Sequence, residues 1–283
     1  MPHYIRLKIT CRVSLSFSFP LECEKADVIV ALMSKSVLYL GDTTLREAGS
    51  YLAGVMSFHR ISFDYLASDQ KFSSSFLGRK YAAVIISDYP ACNFSTAQLD
   101  TIAAQVKAGQ GLLMIGGWES FTGANHEYTD SILKEVLPVV MQSGDDRVNC
   151  SAPCLVEKAC DHKIVNSLPF EENPPCIGGF NRLVIKGEAE TVLFARRFKA
   201  VRQEEEFRFT PFEEPDSLLV VGSYGEGRVC AFATDAAPHW VGGLVDWGDS
   251  RVYAQATGAS AIEVGNWYAK LFANMVNWTA GKL

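Results

Sequence analysis

Two short, uninterrupted apolar runs on either side of a capped helical segment constrain the fold of this chain more than any other feature. The runs are residues 81–86 and 111–115, and apolar runs without polar alternation are typical of parallel strands covered on both faces. Between them, Ser95 and Gln98 have the spacing of a capping box at a helix start. A strand, a helix and a second strand in this order predict a right-handed crossover and a parallel sheet.

The same alternation extends towards the N-terminus. Strands are predicted at residues 37–40 and 61–65, with a helix from about Thr44 between them. We therefore predict one α/β domain over residues 33–283. Residues 1–32 are predicted to be an N-terminal extension that is disordered or that precedes a true start at Met33. A secretory signal is not expected, because Pro20 interrupts the apolar stretch and no clean small-residue cleavage site follows it.

The second half of the chain follows a different pattern. Residues 142–214 combine short β-type runs, turns and a charged stretch. No Pro-, Ser- or Gly-rich linker isolates them, so we predict a β-rich elaboration of the same domain. Two later apolar runs flank Tyr-Gly-Glu-Gly at residues 224–227, which indicates a β-hairpin, and an amphipathic helix follows near the C-terminus.

Charge and hydropathy limit the classes of partner. The chain of 283 residues has a net charge of −6 and a pI near 5.5, so neither nucleic acid nor an anionic membrane surface is an expected partner. No apolar run approaches the roughly 20 residues that cross a bilayer. We expect a cytoplasmic protein that binds a small molecule or a protein partner and needs no cofactor. Apolar residues among the first 32 positions would also suit a homo-oligomer contact.

The carboxyl ends of the predicted strands indicate where a ligand would bind, because open α/β sheets bind ligands beyond those ends. The residues predicted to contact a ligand are Asp42, Asp88, Gly116, Gly117, Trp118, Glu119 and Trp240. The two glycines would let backbone N–H groups approach a ligand or an oxyanion closely. The alternative is that the turn after the strand simply requires glycine.

One histidine lies at the same predicted edge. His239 is a candidate general base near neutral pH, and Asp235 is a candidate carboxylate to orient it. Equally, His239 and Trp240 could anchor the turn that follows the late strand. His126 is a weaker candidate and is interpreted as a loop residue.

Eight cysteines are present, and no export signal accompanies them, so reduced thiols are expected rather than a disulfide framework. Cys150, Cys154 and Cys160 precede His162 at spacings that invite a zinc interpretation. They lack the paired Cys-x2-Cys knuckles of zinc sites. We therefore predict no metal ligands and interpret these thiols as small core or loop residues.

Two segments resemble the putative glutamine amidotransferase family. The first is residues 109–123, Gly-Gln-Gly-Leu-Leu-Met-Ile-Gly-Gly-Trp-Glu-Ser-Phe-Thr-Gly, followed by Tyr128 and by Val-Leu-Pro-Val at 136–139. The second is residues 219–229 together with Asp-Ala-Ala-Pro-His-Trp at 235–240. The resemblance runs from Ser34 to the C-terminus and implies a flavodoxin-like, class I glutamine amidotransferase-like parallel sheet flanked by helices.

The sequence departs from the catalytic pattern that this resemblance implies. Class I glutaminases use a cysteine on a sharp turn after a central strand, a downstream histidine and a glutamate. Here Gly116 and Gly117 follow the strand that ends at Ile115, and no His-Pro-Glu follows the late strand. A standard Cys-His-Glu triad is therefore not expected. Cys92, on a neighbouring strand-end loop, is a weaker alternative nucleophile.

Two functions of different class remain. In the first, the chain is a small-molecule- or partner-binding module that retains the fold without the nucleophile. In the second, it is a hydrolase or amidotransferase with a non-standard site, in which His239 is the base and the amides of Gly116 and Gly117 bind an oxyanion. The missing nucleophile favours the binding module.

Overall fold

The strand elements lie mostly in one large sheet. The computed structural model describes residues 36–125 and 127–283, so the predicted extension over residues 1–32 and His126 lie outside the described residues. The strands are β1 (Val37–Gly41), β2 (Phe63–Leu66), β3 (Ala83–Ser87), β4 (Gly111–Ile115), β5 (Val139–Val140), β6 (Arg147–Asn149), β7 (Cys154–Lys158), β8 (Gly179–Asn181), β9 (Val184–Ile185), β10 (Glu190–Gln203), β11 (Glu206–Pro211), β12 (Asp216–Tyr224), β13 (Gly227–Phe232), β14 (Arg251–Ala254) and β15 (Ile262–Gly265).

The helices are α1 (Gly49–Phe58), α2 (Thr96–Lys107), α3 (Leu133–Val136), α4 (Pro238–Val241) and α5 (Asn266–Thr279), with 3₁₀ turns at Ser74–Phe76, Ala91–Asn93 and Gly242–Asp246. The capping box at the start of α2 is formed as predicted, with Ser95 and Gln98 each bonding the other's backbone N–H. None of the helices in the described part of the chain is long and apolar enough to span a membrane.

The large sheet confirms the predicted fold class. Its order over the described residues is β11-β10-β12-β13-β4-β3-β1-β2, with β7 also paired to β10. Strands β2, β1, β3, β4 and β13 are parallel neighbours, which is the flavodoxin-like order 2-1-3-4-5. Beyond β13 the sheet continues with antiparallel strands. Most of these come from the β-rich second half of the chain, so the whole sheet is mixed rather than parallel.

Burial on both faces explains the apolar runs. Every residue of β1, β3 and β4 is buried. Helix α5 contacts β3, β4 and β13 and also packs on α1, while α2 contacts β13. Strands inside such a sandwich need apolar side chains on both sides, so they show no polar alternation.

Helix α1 begins later than the sequence indicates. The sequence predicts the helix from about Thr44, but residues 45–48 form a turn and the helix begins at Gly49. The chain leaves β1 through Asp42 and Thr43, which have φ of 52° and 55°. Two consecutive left-handed residues redirect the backbone, so regular helical hydrogen bonding starts only after that bend.

Candidate functional site

The loops that follow four of the parallel strands lie at one edge of the sheet. Strands β1, β3, β4 and β13 end there. In the order 2-1-3-4-5 the connections reverse direction between β1 and β3, and ligands of such sheets bind in the crevice at that point. Side chains that directly follow β1 and β3 are therefore placed at the expected site.

Three carboxylates meet at this edge. The side chains of Asp42, Asp88 and Asp235 each offer an oxygen, and these oxygens all lie within 4.8 Å of one another. Asp42 and Asp235 are 2% and 7% exposed, and Asp88 is half-buried. Among the described residues this is the one group of acidic, histidine or cysteine side chains close enough to hold a metal ion. The sequence predicts each aspartate near this edge, but not the cluster or its capacity to ligate a cation.

Hydrogen bonds from the surrounding structure fix each aspartate. The Tyr39 and Ser87 hydroxyls donate to Oδ2 of Asp42 at 3.2 and 2.6 Å. The backbone N–H of Glu119 donates to Oδ1 of Asp88 at 2.7 Å. Oδ1 of Asp235 accepts from the N–H of Ala237 at 2.9 Å. The backbone N–H groups of Trp118 and Ala236 also lower the pKa of Asp88 and of Asp235, respectively, by a smaller amount than burial raises it.

Burial and mutual repulsion favour the protonated forms of these carboxyls. Burial, followed by the charge of Asp235, raises the pKa of Asp42 well above its usual value. Burial also raises the pKa of Asp88 to about 7, with a further contribution from Asp42, and that of Asp235 to about 7, with a contribution from Asp88. No ion pair between described residues includes any of the three. The cluster therefore retains protons near neutral pH.

The structure does not support the predicted oxyanion role of the two glycines. The N–H of Gly116 donates to the Phe232 carbonyl at 2.7 Å, and that of Gly117 donates to Oδ1 of Asn181 at 3.0 Å. Both amides are thus engaged inside the protein. The alternative interpretation, a turn that requires glycine, fits better. A Cβ on Gly117 would lie 2.2 Å from Oδ1 of Asp88, which is too close for any other residue.

Asn181, which sequence reasoning missed, holds the loop that follows β4. Oδ1 of Asn181 accepts from the N–H of Gly117. Its Nδ2 donates to the Gly117 carbonyl at 3.2 Å and to Oδ1 of Asp146 at 2.9 Å. Asp146 in turn accepts from the N–H groups of Thr122 and Gly123, both at 3.0 Å. Both Asn181 and Asp146 are buried. They belong to the β-rich half of the chain, and no local motif signals a contact of such long range.

Trp118 forms the exposed rim of the site. Its side chain is 51% exposed. The Arg147 guanidinium lies over the indole at 4.7 Å from the ring centroid, and the His239 ring is 6.1 Å away at an interplanar angle of 31°. Glu119, half-buried beside it, has its pKa raised by burial and by the charge of Glu127. Trp118, Glu119 and His239 thus lie near one another at this edge of the sheet, and their contact with a ligand stays a prediction.

The proposed pairing of His239 with Asp235 is not formed. His239 is exposed in the short helix α4, whereas Asp235 is buried and accepts hydrogen bonds from its own loop. Within the described residues, the His239 side chain makes one ring contact, with Trp118. A histidine without an orienting carboxylate lacks the arrangement that activates a nucleophile.

Trp240 is part of the core. It is 2% exposed, and its Nε1 donates to Oδ1 of Asn149 at 2.9 Å. A Cβ on Gly179 would lie 2.5 Å from the indole, so the ring packs directly on the β8 backbone. The alternative interpretation, that Trp240 anchors the turn after β13, is the one that the geometry fits.

The described cysteines lie in several different settings, and two of them, Cys150 and Cys154, interact through their side chains. Cys92 is exposed on the Ala91–Asn93 turn, beside a cavity of about 550 Å³ that Glu127 and Asp130 also line. Burial raises the pKa of Cys160 to about 11, and Cys154 is fully buried. Burial of this kind disfavours the thiolate form that acts as nucleophile and metal ligand, whereas the contact with Cys154 lowers the pKa of Cys150.

Comparisons with known proteins agree with this architecture. A family model described as "Putative glutamine amidotransferase" matches residues 40–280. A solved structure of a cytoplasmic protein from Salmonella typhimurium is similar over 86% of this chain and 98% of its own, with 25% identity and a TM-score of 0.64. A second cytoplasmic protein, from Salmonella typhimurium LT2, is similar over 72% of this chain and 90% of its own, with 29% identity and a TM-score of 0.59. No curated protein sequence matches significantly.

Proposed function

Because the chain belongs to the putative glutamine amidotransferase family, we propose that it uses this family's sheet to bind a small molecule through a cationic group, at the cluster of Asp42, Asp88 and Asp235. The observation that carries the proposal is the convergence of three carboxylates within 4.8 Å at the point where the strand order reverses. The two similar Salmonella proteins are described as cytoplasmic, which supports a cytoplasmic location.

The turn after β4 supports binding rather than glutamine hydrolysis. A class I glutaminase needs a cysteine nucleophile at that turn and N–H groups free to bind the oxyanion. Gly116 and Gly117 occupy the turn, and their amides donate to Phe232 and Asn181. We therefore propose that the standard nucleophile is absent and that a site built on His239 and these amides does not operate.

The electrostatics of the cluster support a positively charged ligand. Two nearly fully buried carboxyls and a third beside them can ionise together only if a cation balances them. A bound cation would replace the protons that the cluster otherwise retains near pH 7. Binding and proton release are thus expected to be coupled.

An organic ammonium and a divalent metal ion both carry the required charge. Carboxylate oxygens are the ligands of hard cations such as Mg²⁺ and Ca²⁺. The half-exposed indole of Trp118 favours the organic ammonium, since an indole face attracts cations. The Arg147 guanidinium already lies over this ring, and an amine would share or displace that contact. We propose an amine as the ligand and treat the metal ion as the competing outcome.

Calorimetry and thermal unfolding of the full chain at pH 8 test the proposal. The probes are spermidine, agmatine and L-lysine in one arm, MgCl₂, CaCl₂ and MnCl₂ in a second, and L-glutamine with an ammonia assay in a third. We expect at least one amine to raise the melting temperature and to release protons on binding near pH 7. That release is measured as a dependence of the binding heat on the buffer's ionisation enthalpy.

The variants Asp88→Asn and Asp100→Asn separate the cluster from general charge effects. Asp100 is an exposed residue of α2, so its variant should keep the response that Asp88→Asn loses. If only a metal ion stabilises the protein, and Asp88→Asn abolishes that stabilisation, the ligand of the cluster is a metal ion rather than an amine. Ammonia release that disappears in Cys92→Ala or His239→Ala would overturn the binding proposal in favour of an amidotransferase.

A further inference from the structure

The hairpin formed by β10 and β11 projects from the edge of the large sheet. The first part of β10 pairs with β12 and β7, whereas residues 198–203 pair with β11 alone. Strand β11 ends the sheet order, so its outer side meets no further strand of the described chain. All residues from 199 to 214 are exposed. A two-stranded ribbon of this kind is marginally stable by itself, and an open strand edge is a template for pairing.

Large apolar side chains are exposed on this hairpin. Phe207, Phe209 and Val201 are 62%, 50% and 48% exposed. The register pairs Ala200 with Phe209 and Arg202 with Phe207, and residues opposite each other in an antiparallel pair share a face. Phe207 and Phe209 therefore lie in one row on one face. Exposed apolar groups at an open edge indicate an interaction surface.

We propose that β11 pairs antiparallel with β11 of a second copy of this chain, about a two-fold axis that passes through Phe207. In this register each Phe207 lies opposite Phe207 of the second copy. Each Glu206 then lies opposite Arg208 of the second copy, on the other face, and symmetry repeats this ion pair. Each Phe209 then lies diagonally to Phe207 of the second copy and opposite its Glu205, so the two Phe207 side chains form the apolar centre of the interface.

The charges of Glu206 and Arg208 favour this register and favour a second copy of the chain as the partner. A two-fold axis at Arg208 would place two guanidinium groups directly opposite each other, and like charges opposite each other destabilise a strand pair. An axis at Phe209 would leave Glu206 without the opposite Arg208. The segment Glu-Phe-Arg at 206–208 is thus complementary to itself when it is centred on Phe207. An interface made mainly by one hairpin is small, at or below about 1,200 Å² in total, so we expect a dimer that dissociates on dilution.

Sedimentation equilibrium of the full chain over a range of concentrations and salt tests this dimer. We expect reversible dimerisation that Arg208→Glu and Glu206→Arg each weaken by about tenfold or more, because each creates two pairs of like charges. The double variant Glu206→Arg/Arg208→Glu restores opposite charges and should recover affinity to within a few-fold. Lys199→Glu is the matched control, since Lys199 is an exposed cation on β10, the inner strand of the hairpin.

A cysteine placed on the axis gives an independent readout. Phe207→Cys should be crosslinked between copies by a short bis-maleimide, whereas Val201→Cys, on β10, should give no more crosslinking than the parent chain. The parent corrects for the exposed Cys92 and Cys176. A chain that stays monomeric at every concentration, or a dimer that neither charge reversal weakens, would overturn the proposal. So would a dimer that the double variant does not restore.

Discussion

The carboxylates of Asp88 and Asp235 lie within 4.8 Å of each other although β4 separates the strands that precede them. The closeness is possible because the loop after β4 begins with Gly116 and Gly117, which have no side chains to fill the gap. Each aspartate raises the pKa of a partner in the cluster. The stability of the fold and the charge of its candidate site are therefore linked at one edge of the sheet.

The pH dependence of stability should report this link. Folding raises the pKa of Asp88 and Asp235 from 3.8 to about 7. A raised pKa in the folded state means that the contribution to stability is complete below about pH 4 and is lost as the pH rises through about 7. Asp88→Asn should thus increase the free energy of unfolding at pH 8 by about 1–3 kcal/mol and change it little at pH 4. Urea unfolding at the two pH values measures the difference.

The substitution itself should be tolerated locally. Asn at position 88 can still accept from the backbone N–H groups of Glu119 and Trp118, and it adopts positive φ readily, as the φ of 45° at Asp88 requires. Asp100→Asn is the control and should show the same stability as the parent at both pH values. An Asp88→Asn variant that is equally destabilised at pH 4 and pH 8 would contradict the assignment of a protonated cluster.

Gly117→Ala should destabilise the protein by about 2–4 kcal/mol. The added Cβ would meet the Asp88 carboxylate at 2.2 Å, and either the loop or Asp88 must move. Gly144→Ala is the matched control, because no atom lies within 4 Å of the position that its methyl group would occupy; it should be neutral or slightly stabilising. Thermal unfolding of the two variants compares them, and equal stabilities would contradict the close approach.

Asn181→Ala should loosen the loop after β4. The change removes the partner of both the N–H and the carbonyl of Gly117 and one of the two donors to Oδ1 of Asp146, at an expected cost of about 2–4 kcal/mol. Limited proteolysis should cut residues 116–123 faster than in the parent. Asn166→Ala, at an exposed position, should leave both the stability and the cleavage pattern unchanged.

Substitutions of Trp118 and Trp240 should affect stability differently, because Trp118 lies at the exposed rim and Trp240 lies in the core. Trp118→Ala should change the free energy of unfolding by less than about 1 kcal/mol, since the side chain is half exposed and loses mainly its contact with Arg147. Trp240→Phe should cost about 1–3 kcal/mol, because it removes the buried hydrogen bond to Asn149. The ranking is checked by chemical denaturation. A larger loss for Trp118→Ala would show that the rim supports the fold.

Local patterns are sufficient to predict the parallel part of the sheet. Burial on both faces requires unbroken apolar runs in β3 and β4, and the bonds of the capping box at Ser95 act within one helical turn. The same logic places Asp42 and Asp88 at the carboxyl edge, since each directly follows a strand. The bend at Asp42 and Thr43 is not predictable in this way, because it depends on left-handed backbone conformations that several residue types adopt.

Contacts between distant segments explain what sequence reasoning missed. Asn181 reaches Gly117 across 64 positions, and no spacing rule connects them. The burial of Trp240 was not predicted, because exposed and buried positions alternate within a few residues after β13. Its burial depends on packing against β8, a strand whose partner could not be identified from the sequence.

The position of Asp235 after β13 also orders the events of folding. Asp42 and Asp88 come from the first strands to be synthesised, while Asp235 joins them only when β13 pairs with β4. In the unfolded chain all three carboxyls face water and are ionised at neutral pH. Formation of the complete sheet must then be accompanied by uptake of protons from the solvent. The rate of folding, and not only the stability of the finished protein, is thus expected to fall as the solution becomes more alkaline.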